Sequence, residues 1–129
     1  MIPSREVRAA MLASVLVLVA APALADWPQF HSDPDRPGAN ENETKITRQN
    51  VDRLKVRWSR GTKPSDEGIN SSPAVAGGVV YVGSDDGRLY AFKARGGRRL
   101  WSRSTDGAIR SSPAVAGNRV FVGSDDGRV

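Results

Sequence analysis

The sequence predicts an all-β protein, a β-propeller built from four-stranded antiparallel blades. The segment 71–89 returns as 111–129, forty residues later, and the two copies differ at only four of 19 positions. Each period also divides into short apolar or alternating runs that end at glycine-rich turns, and the apolar spacing is not that of a helix. A period of about forty with four strands is typical of a propeller blade.

Four strands are predicted in the complete repeat, at roughly 73–76, 79–84, 88–93 and 98–103. The turn between the second and third is Asp85-Asp86-Gly87. Paired aspartates beside a glycine also occur among calcium ligands, but this motif is much shorter than a calcium-binding loop. Because Asp-Gly between two apolar runs is a strong hairpin signal, we interpret the turn as structural.

The first 25 residues have the pattern of a secretory leader. Two arginines precede an apolar run over 9–21, and Ala23-Leu24-Ala25 has the small-x-small form that signal peptidase cleaves. The alternative is an uncleaved membrane anchor, but the run is shorter than the ~20 residues of a spanning helix and is closed by a proline. We therefore predict a signal peptide over 1–25, a mature chain that begins at Asp26, and export to the periplasm or beyond, with no membrane span after cleavage.

Composition excludes several kinds of site within this chain. No cysteine is present, which excludes a disulfide framework and a lipid anchor on cysteine. His31 is the only histidine, so the chain contains neither a His-pair metal site nor a Ser-His couple. The formal net charge is +5. The clustered arginines alternate with apolar residues and turns, which does not favour nucleic-acid binding; they are Arg95, Arg98, Arg99, Arg103 and Arg110.

Before the repeats, residues 26–53 are expected to form an extended arm with a short helical turn that Thr47 caps. Trp27 is expected to pack this arm onto the domain, and Lys55–Ser59 alternate as a strand. The propeller repeats are then predicted over 54–129, with one full blade at 71–110 and a partial blade at 111–129.

One and a half blades leave strand edges open, and such edges recruit other chains. Repeat units are stable only when they stack on neighbours, and about three units are usually needed. We therefore expect the chain to be part of a longer protein whose remaining blades are its first partners, and we expect residues 26–129 alone to self-associate.

The segment from Ala91 to Trp101 resembles the tryptophan-docking motif of pyrroloquinoline-quinone-type (PQQ-like) propellers. Ala91, Gly97 and Trp101 match its three fixed positions. In that family the tryptophan of one blade stacks between the alanine and the turn glycine of a neighbour, so the resemblance implies that these residues, and the equivalent Trp58, hold blades together. Two positions depart from the motif: Lys93 replaces its acidic residue and Gly96 its threonine.

The arm is similar to the opening of exported quinoprotein alcohol and polyvinyl-alcohol dehydrogenases, through Trp27-Pro28 and the stretch 50–58. Relatives that resemble methanol dehydrogenase place a cofactor-contacting glutamate where this chain has Asn70, and they carry an adjacent cysteine pair that this chain lacks. The departures favour an exported, non-catalytic propeller that binds an envelope protein or polymer, with no catalytic, cofactor or metal residue assigned.

Two alternatives stay open. One is a PQQ-dependent alcohol dehydrogenase, which would carry PQQ with calcium and catalytic residues outside this stretch. The other is an assembly propeller like the outer-membrane assembly lipoprotein, anchored differently because cysteine is absent.

Overall fold

The computed structural model describes residues 26–30, 43–62 and 68–129. Four strands form one antiparallel sheet in the order β1-β2-β3-β4, and two more form a hairpin, β5-β6. The strands are β1 (Ala74–Ala76), β2 (Val79–Ser84), β3 (Arg88–Lys93), β4 (Arg99–Ser104), β5 (Ala114–Ala116) and β6 (Arg119–Phe121), preceded by a 3-10 turn at Val51–Arg53. The predicted all-β class is confirmed, and β2 and β3 have the predicted bounds.

The β2–β3 connection forms the predicted hairpin because its residues hydrogen-bond to the ends of the two strands that they join. Gly87 adopts a φ of 73° and donates its N–H to the carbonyl of Ser84 at 3.1 Å. The Asp86 carboxylate accepts the N–H of Arg88 at 3.0 Å. An Asp side chain that accepts a backbone N–H two residues on is a common turn-forming contact, and Gly tolerates the left-handed φ.

The core of the complete blade lies on β2 and β3, where Val82, Tyr90 and Phe92 are buried together. The rings of Tyr90 and Phe92 stack with centroids 5.9 Å apart. The ring of Trp58 lies 6.2 Å from that of Phe92 and extends the cluster to the side. In contrast, most of β4 is exposed.

Two local predictions before the repeats are wrong. Lys55–Ser59 do not form a strand, because no backbone among the described residues pairs with them. The side chains of Arg57 and Trp58 instead donate to backbone carbonyls of the β3–β4 turn. Thr47 does not cap the helical turn with its hydroxyl. Its N–H donates to Oδ1 of Asn50 at 2.8 Å and its carbonyl accepts two N–H groups, so Asn50 supplies the side chain that closes this turn.

The arm residues Trp27 and Pro28 bridge two consecutive repeats. Trp27 and Val75 of β1 exchange both backbone hydrogen bonds, each at 2.6 Å. The next carbonyl, of Pro28, accepts the N–H of Val115 of β5 at 2.8 Å. Val75 and Val115 are equivalent positions of the two repeats. The arm therefore lies along the free edges of β1 and β5 and joins the complete blade to the second hairpin.

Candidate functional site: a cleft between two repeats

An open cleft of about 230 Å³ lies where the β2–β3 turn meets the loop between β4 and β5. Both segments are at the same end of the sheet, because antiparallel strands place alternate connections together. We call it the interblade cleft, and it is lined by Asp85, Asp86, Gly87, Thr105, Asp106, Gly107 and Ala108. Its lining is polar, with three carboxylates and the backbone groups of the turn and loop.

Arg110 joins the two repeats beside the cleft. Its Nε lies 3.4 Å from Oδ1 of Asp85, and its Nη1 donates to Oδ2 of Asp125, the equivalent aspartate of the next repeat. Asp85 also accepts from the Asn70 amide at 2.6 Å. The carboxylate oxygen of Asp85 that faces Arg110 is buried and has only this long ionic contact. A planar guanidinium suits this bridging role because it presents donors in several directions.

The second aspartate of each turn has a different partner. The carboxylate of Asp86 accepts from the hydroxyl of Tyr90 at 2.5 Å as well as from its own turn. In the next repeat, Asp126 accepts the N–H of Arg128 at 2.9 Å and that of Asp106 at 3.0 Å. Asp106 is in turn paired with Arg128 at 2.7 Å. The turn aspartates thus both close their own turns and contribute to the contacts between repeats.

These contacts act on the ionisation of Asp126. Partial desolvation tends to raise the pKa of this carboxyl, but the N–H groups of Arg128 and Asp106 stabilise the ionised form and outweigh it, so the pKa lies below its ordinary value. The Glu43 pKa is also lowered, by the backbone N–H groups of Ile46 and Lys45. Only Asp126 belongs to the contact between repeats.

The floor of the cleft requires glycine at Gly107. A Cβ there would lie 2.6 Å from the backbone nitrogen of Asp126 and 3.0 Å from the carbonyl carbon of Asp125. Both neighbours are backbone atoms, which cannot rotate away. The Thr105 hydroxyl lies on the same floor. Its oxygen is 3.0 Å from the carbonyl oxygen of Gly87 and 2.8 Å from that of Gly107, and these two oxygens are its hydrogen-bond acceptors. The two repeats approach closely here because position 107 has no side chain.

The residues predicted to dock blades fall into two groups. Trp58 lies on Gly97, where a Cβ would come within 2.6 Å of the indole ring, and its Nε1 donates to the carbonyl of Ala94 at 2.7 Å. Ala91 is fully buried between its strand neighbours Tyr81 and Trp101, whose rings meet 5.9 Å apart. Trp101 is 37% exposed and is not among the atoms nearest to the Cβ position of any described glycine. The docking role itself stays a prediction.

Ala23, Ala25 and His31 lie outside the described residues, so the leader and the lone histidine have no structural account. The segments 26–30, 43–62 and 68–129 contain no helix long and apolar enough to cross a membrane. Over the same segments, no group of three His, Cys, Asp or Glu side chains is arranged to hold a metal ion.

The sequence pattern pointed to neither Arg110 nor Gly107 as a residue that joins repeats. A signal for Arg110 was present, because Asn70 and Arg110 precede the two Ser-Ser-Pro copies at equivalent positions. The residue just before a repeat lies close to the turn aspartate of the repeat that follows, as Asn70 does with Asp85.

Comparison with known proteins agrees with this architecture. The chain is 44% identical over 50 residues to a 1-butanol dehydrogenase (cytochrome c) of Thauera butanivorans, which covers 39% of this chain and 7% of that protein. It is 33% identical over 57 residues to a lupanine 17-hydroxylase [cytochrome c] of a Pseudomonas species, covering 44% and 8%. The matched stretches thus span less than a tenth of these relatives. A family model described as outer membrane protein assembly factor BamB matches residues 42–129, and the chain therefore belongs to this family of PQQ-like β-propeller repeats.

Proposed function

We propose that this chain belongs to an exported, non-catalytic propeller that binds an envelope protein or polymer as a scaffold. Further blades would cover the exposed faces of β4 and of the β5-β6 hairpin. The loops around the interblade cleft would then form part of one rim of the propeller and offer polar groups to a partner.

This proposal is supported by the hydrogen bonds and ion pairs that the cleft carboxylates already make. Asp85 is bound by Asn70 and Arg110, Asp86 by Tyr90, and Asp106 by Arg128. A general base needs a carboxylate within reach of the substrate and free to take a proton. Here each carboxylate lining the cleft stabilises a turn or a contact between repeats, which supports a binding and structural role.

The experiment uses the full-length protein isolated from the cell envelope. A photo-reactive amino acid placed at Asp106, an exposed position on the cleft, is expected to give one defined adduct whose yield falls when unlabelled protein is added. A matched probe at Lys55, outside the cleft, is the control. Equal, non-competed labelling from both positions would contradict a partner at the cleft.

Export is part of the proposal and is tested separately. Intact-mass analysis of the protein recovered outside the cytoplasm is expected to give a chain that starts at Asp26, after cleavage that follows Ala25. A mass that retains Met1 in the exported form would refute the leader.

The second candidate is a PQQ-dependent dehydrogenase, favoured by the names of the two relatives. When bound with calcium, PQQ supplies the oxidising group of such enzymes. The described residues do not fit this group, because Asn70 offers an amide that is already bound to Asp85 in place of a carboxylate. Under this candidate the cofactor donors would lie outside the described residues.

A titration of the full-length protein with PQQ and calcium separates the two candidates. The scaffold proposal expects no saturable absorbance change and no alcohol-dependent reduction of an electron-acceptor dye. Micromolar binding that a chelator reverses, accompanied by dye reduction, would establish the dehydrogenase and overturn the scaffold.

A further inference from the structure

The charges of the described residues are unevenly divided between the two ends of the sheet. The end opposite the interblade cleft carries the β1–β2, β3–β4 and β5–β6 turns, and we call it the basic end. It comprises five exposed cationic residues outside β4 and the β5-β6 hairpin, Arg57, Arg60, Lys93, Arg95 and Arg98, and two more on those strands, Arg99 and Arg119. Asp26 also lies at this end, where its carboxylate accepts the N–H of Gly77.

The arginines at the two ends have different partners. Every ion pair among the described residues involves Arg110 or Arg128, and both lie at the cleft. At the cleft end, therefore, aspartates pair with these two arginines. At the basic end the positive charges have no ion-pair partner in the described part of the chain, so their fields add to a positive potential at this surface.

Two guanidinium groups at the basic end are held in place by the backbone. Nε of Arg57 donates to the carbonyl of Arg95 at 3.0 Å, and Nε of Arg60 donates to the carbonyl of Gly97 at 3.0 Å. A guanidinium fixed through one N–H loses less conformational entropy when its remaining N–H groups bind an anion. Phosphate oxygens suit these remaining donors because they accept bidentate hydrogen bonds.

The surface of the basic end is open. A Cβ added at Gly77, Gly78, Gly96 or Gly117 would meet no atom within 4 Å. Gly97 at the same end is the exception, because Trp58 covers it. The glycines of these turns carry no side chain and have open space around them, so the neighbouring arginine side chains are accessible to a binding partner. Val56, beside Arg57, is 87% exposed and adds an apolar group near the same surface.

We propose that the basic end binds the headgroup layer of an anionic phospholipid bilayer. A planar sheet of phosphates matches an open surface with several arginines and an adjacent apolar side chain better than a folded acidic protein does, because a protein partner requires matching relief. The inference rests on the charges of this end alone and holds for either function proposed above.

The test measures partition of the full-length protein onto vesicles. Vesicles of phosphatidylcholine with about one third phosphatidylglycerol are compared with pure phosphatidylcholine by co-sedimentation, since each basic residue near an anionic surface adds about fivefold in affinity. The protein is expected to bind the anionic vesicles only and to dissociate as salt is raised. Arg95→Gln with Arg98→Gln is expected to lower the partition coefficient by about 25-fold.

The matched control is Arg88→Gln with Arg103→Gln, which removes the same charge away from the basic end and is expected to change partition by less than about twofold. Circular dichroism checks that both double variants are folded. Absence of binding to anionic vesicles would overturn the proposal, as would an equal loss in the two double variants. If the protein ignores vesicles but binds polyglutamate through the basic end, a carboxylate-bearing protein is the partner and the bilayer is refuted.

Discussion

Trp58 and Gly97 are in contact at the β3–β4 turn, and replacing either of them tests whether the indole stabilises this turn. Trp58→Ala removes a half-buried ring from the Phe92 cluster and the hydrogen bond to Ala94, and we expect a loss of about 3 kcal/mol in unfolding free energy. Gly97→Ala places a Cβ 2.6 Å from the indole at a φ of 66°. Left-handed backbone costs an alanine about 1–2 kcal/mol and the overlap adds about 1–3 kcal/mol.

The double variant distinguishes contact from mere proximity. Without the indole, Gly97→Ala meets only the backbone strain, so its cost is expected to fall to about 1–2 kcal/mol, and the two substitutions couple by about 2 kcal/mol. The assay is urea unfolding of the full-length protein followed by circular dichroism. Gly96→Ala, in the same turn with open space around it, is the control and is expected to change stability by less than about 0.5 kcal/mol. Costs that add within about 0.5 kcal/mol would refute the docking contact.

Three further predictions concern the interblade cleft. Gly107→Ala is expected to lower stability by about 1–3 kcal/mol because its Cβ strikes the backbone of Asp126, whereas Gly61→Ala, with open space, is the neutral control; thermal melting compares them. Arg110→Gln is expected to cost below about 1 kcal/mol, since the arginine side chain is 57% exposed, and the difference should vanish as salt rises; a salt-independent loss would contradict an ionic role. Because the pKa of Asp126 is lowered by folding, its contribution is present at neutral pH and is lost as pH falls through the folded pKa. Asp126→Asn should therefore flatten the acid limb of the stability curve, and an NMR titration midpoint at or above the ordinary aspartate value would contradict the hydrogen-bond geometry.

The strands were predictable because each follows from local chemistry. Glycine and aspartate end the alternating apolar runs, so β2 and β3 agree with the predicted bounds. The last strand of the blade, β4, is displaced by one residue from its prediction. Lys55–Ser59 alternates as a strand does, yet a strand exists only where a partner edge is available, and no described edge pairs with it. Periodicity reports which face is apolar and carries no information on the partner.

The contact between repeats was predictable only in part. The motif implied that a tryptophan lies against Gly97, and Trp58 does so. The bridge from Arg110 to two aspartates depends on how the second hairpin is placed beside the first, which no single repeat encodes. The same holds for Gly107. A side chain at this position is excluded only because the Asp125-Asp126 backbone of the second hairpin lies against it.

The arm that joins β1 to β5 has a consequence for the order of folding. Asp26 accepts from Gly77, 51 positions along the chain, and Pro28 must wait for Val115, which is made later still. Closing such long loops costs more entropy than closing a hairpin and is slow, so the hairpins form first. Residues 26–28 are therefore synthesised before both hairpins but are among the last to dock. After the hairpins have formed and until the arm docks, the edges of β1 and β5 remain open, and in this interval the chain is most exposed to wrong pairing with another copy.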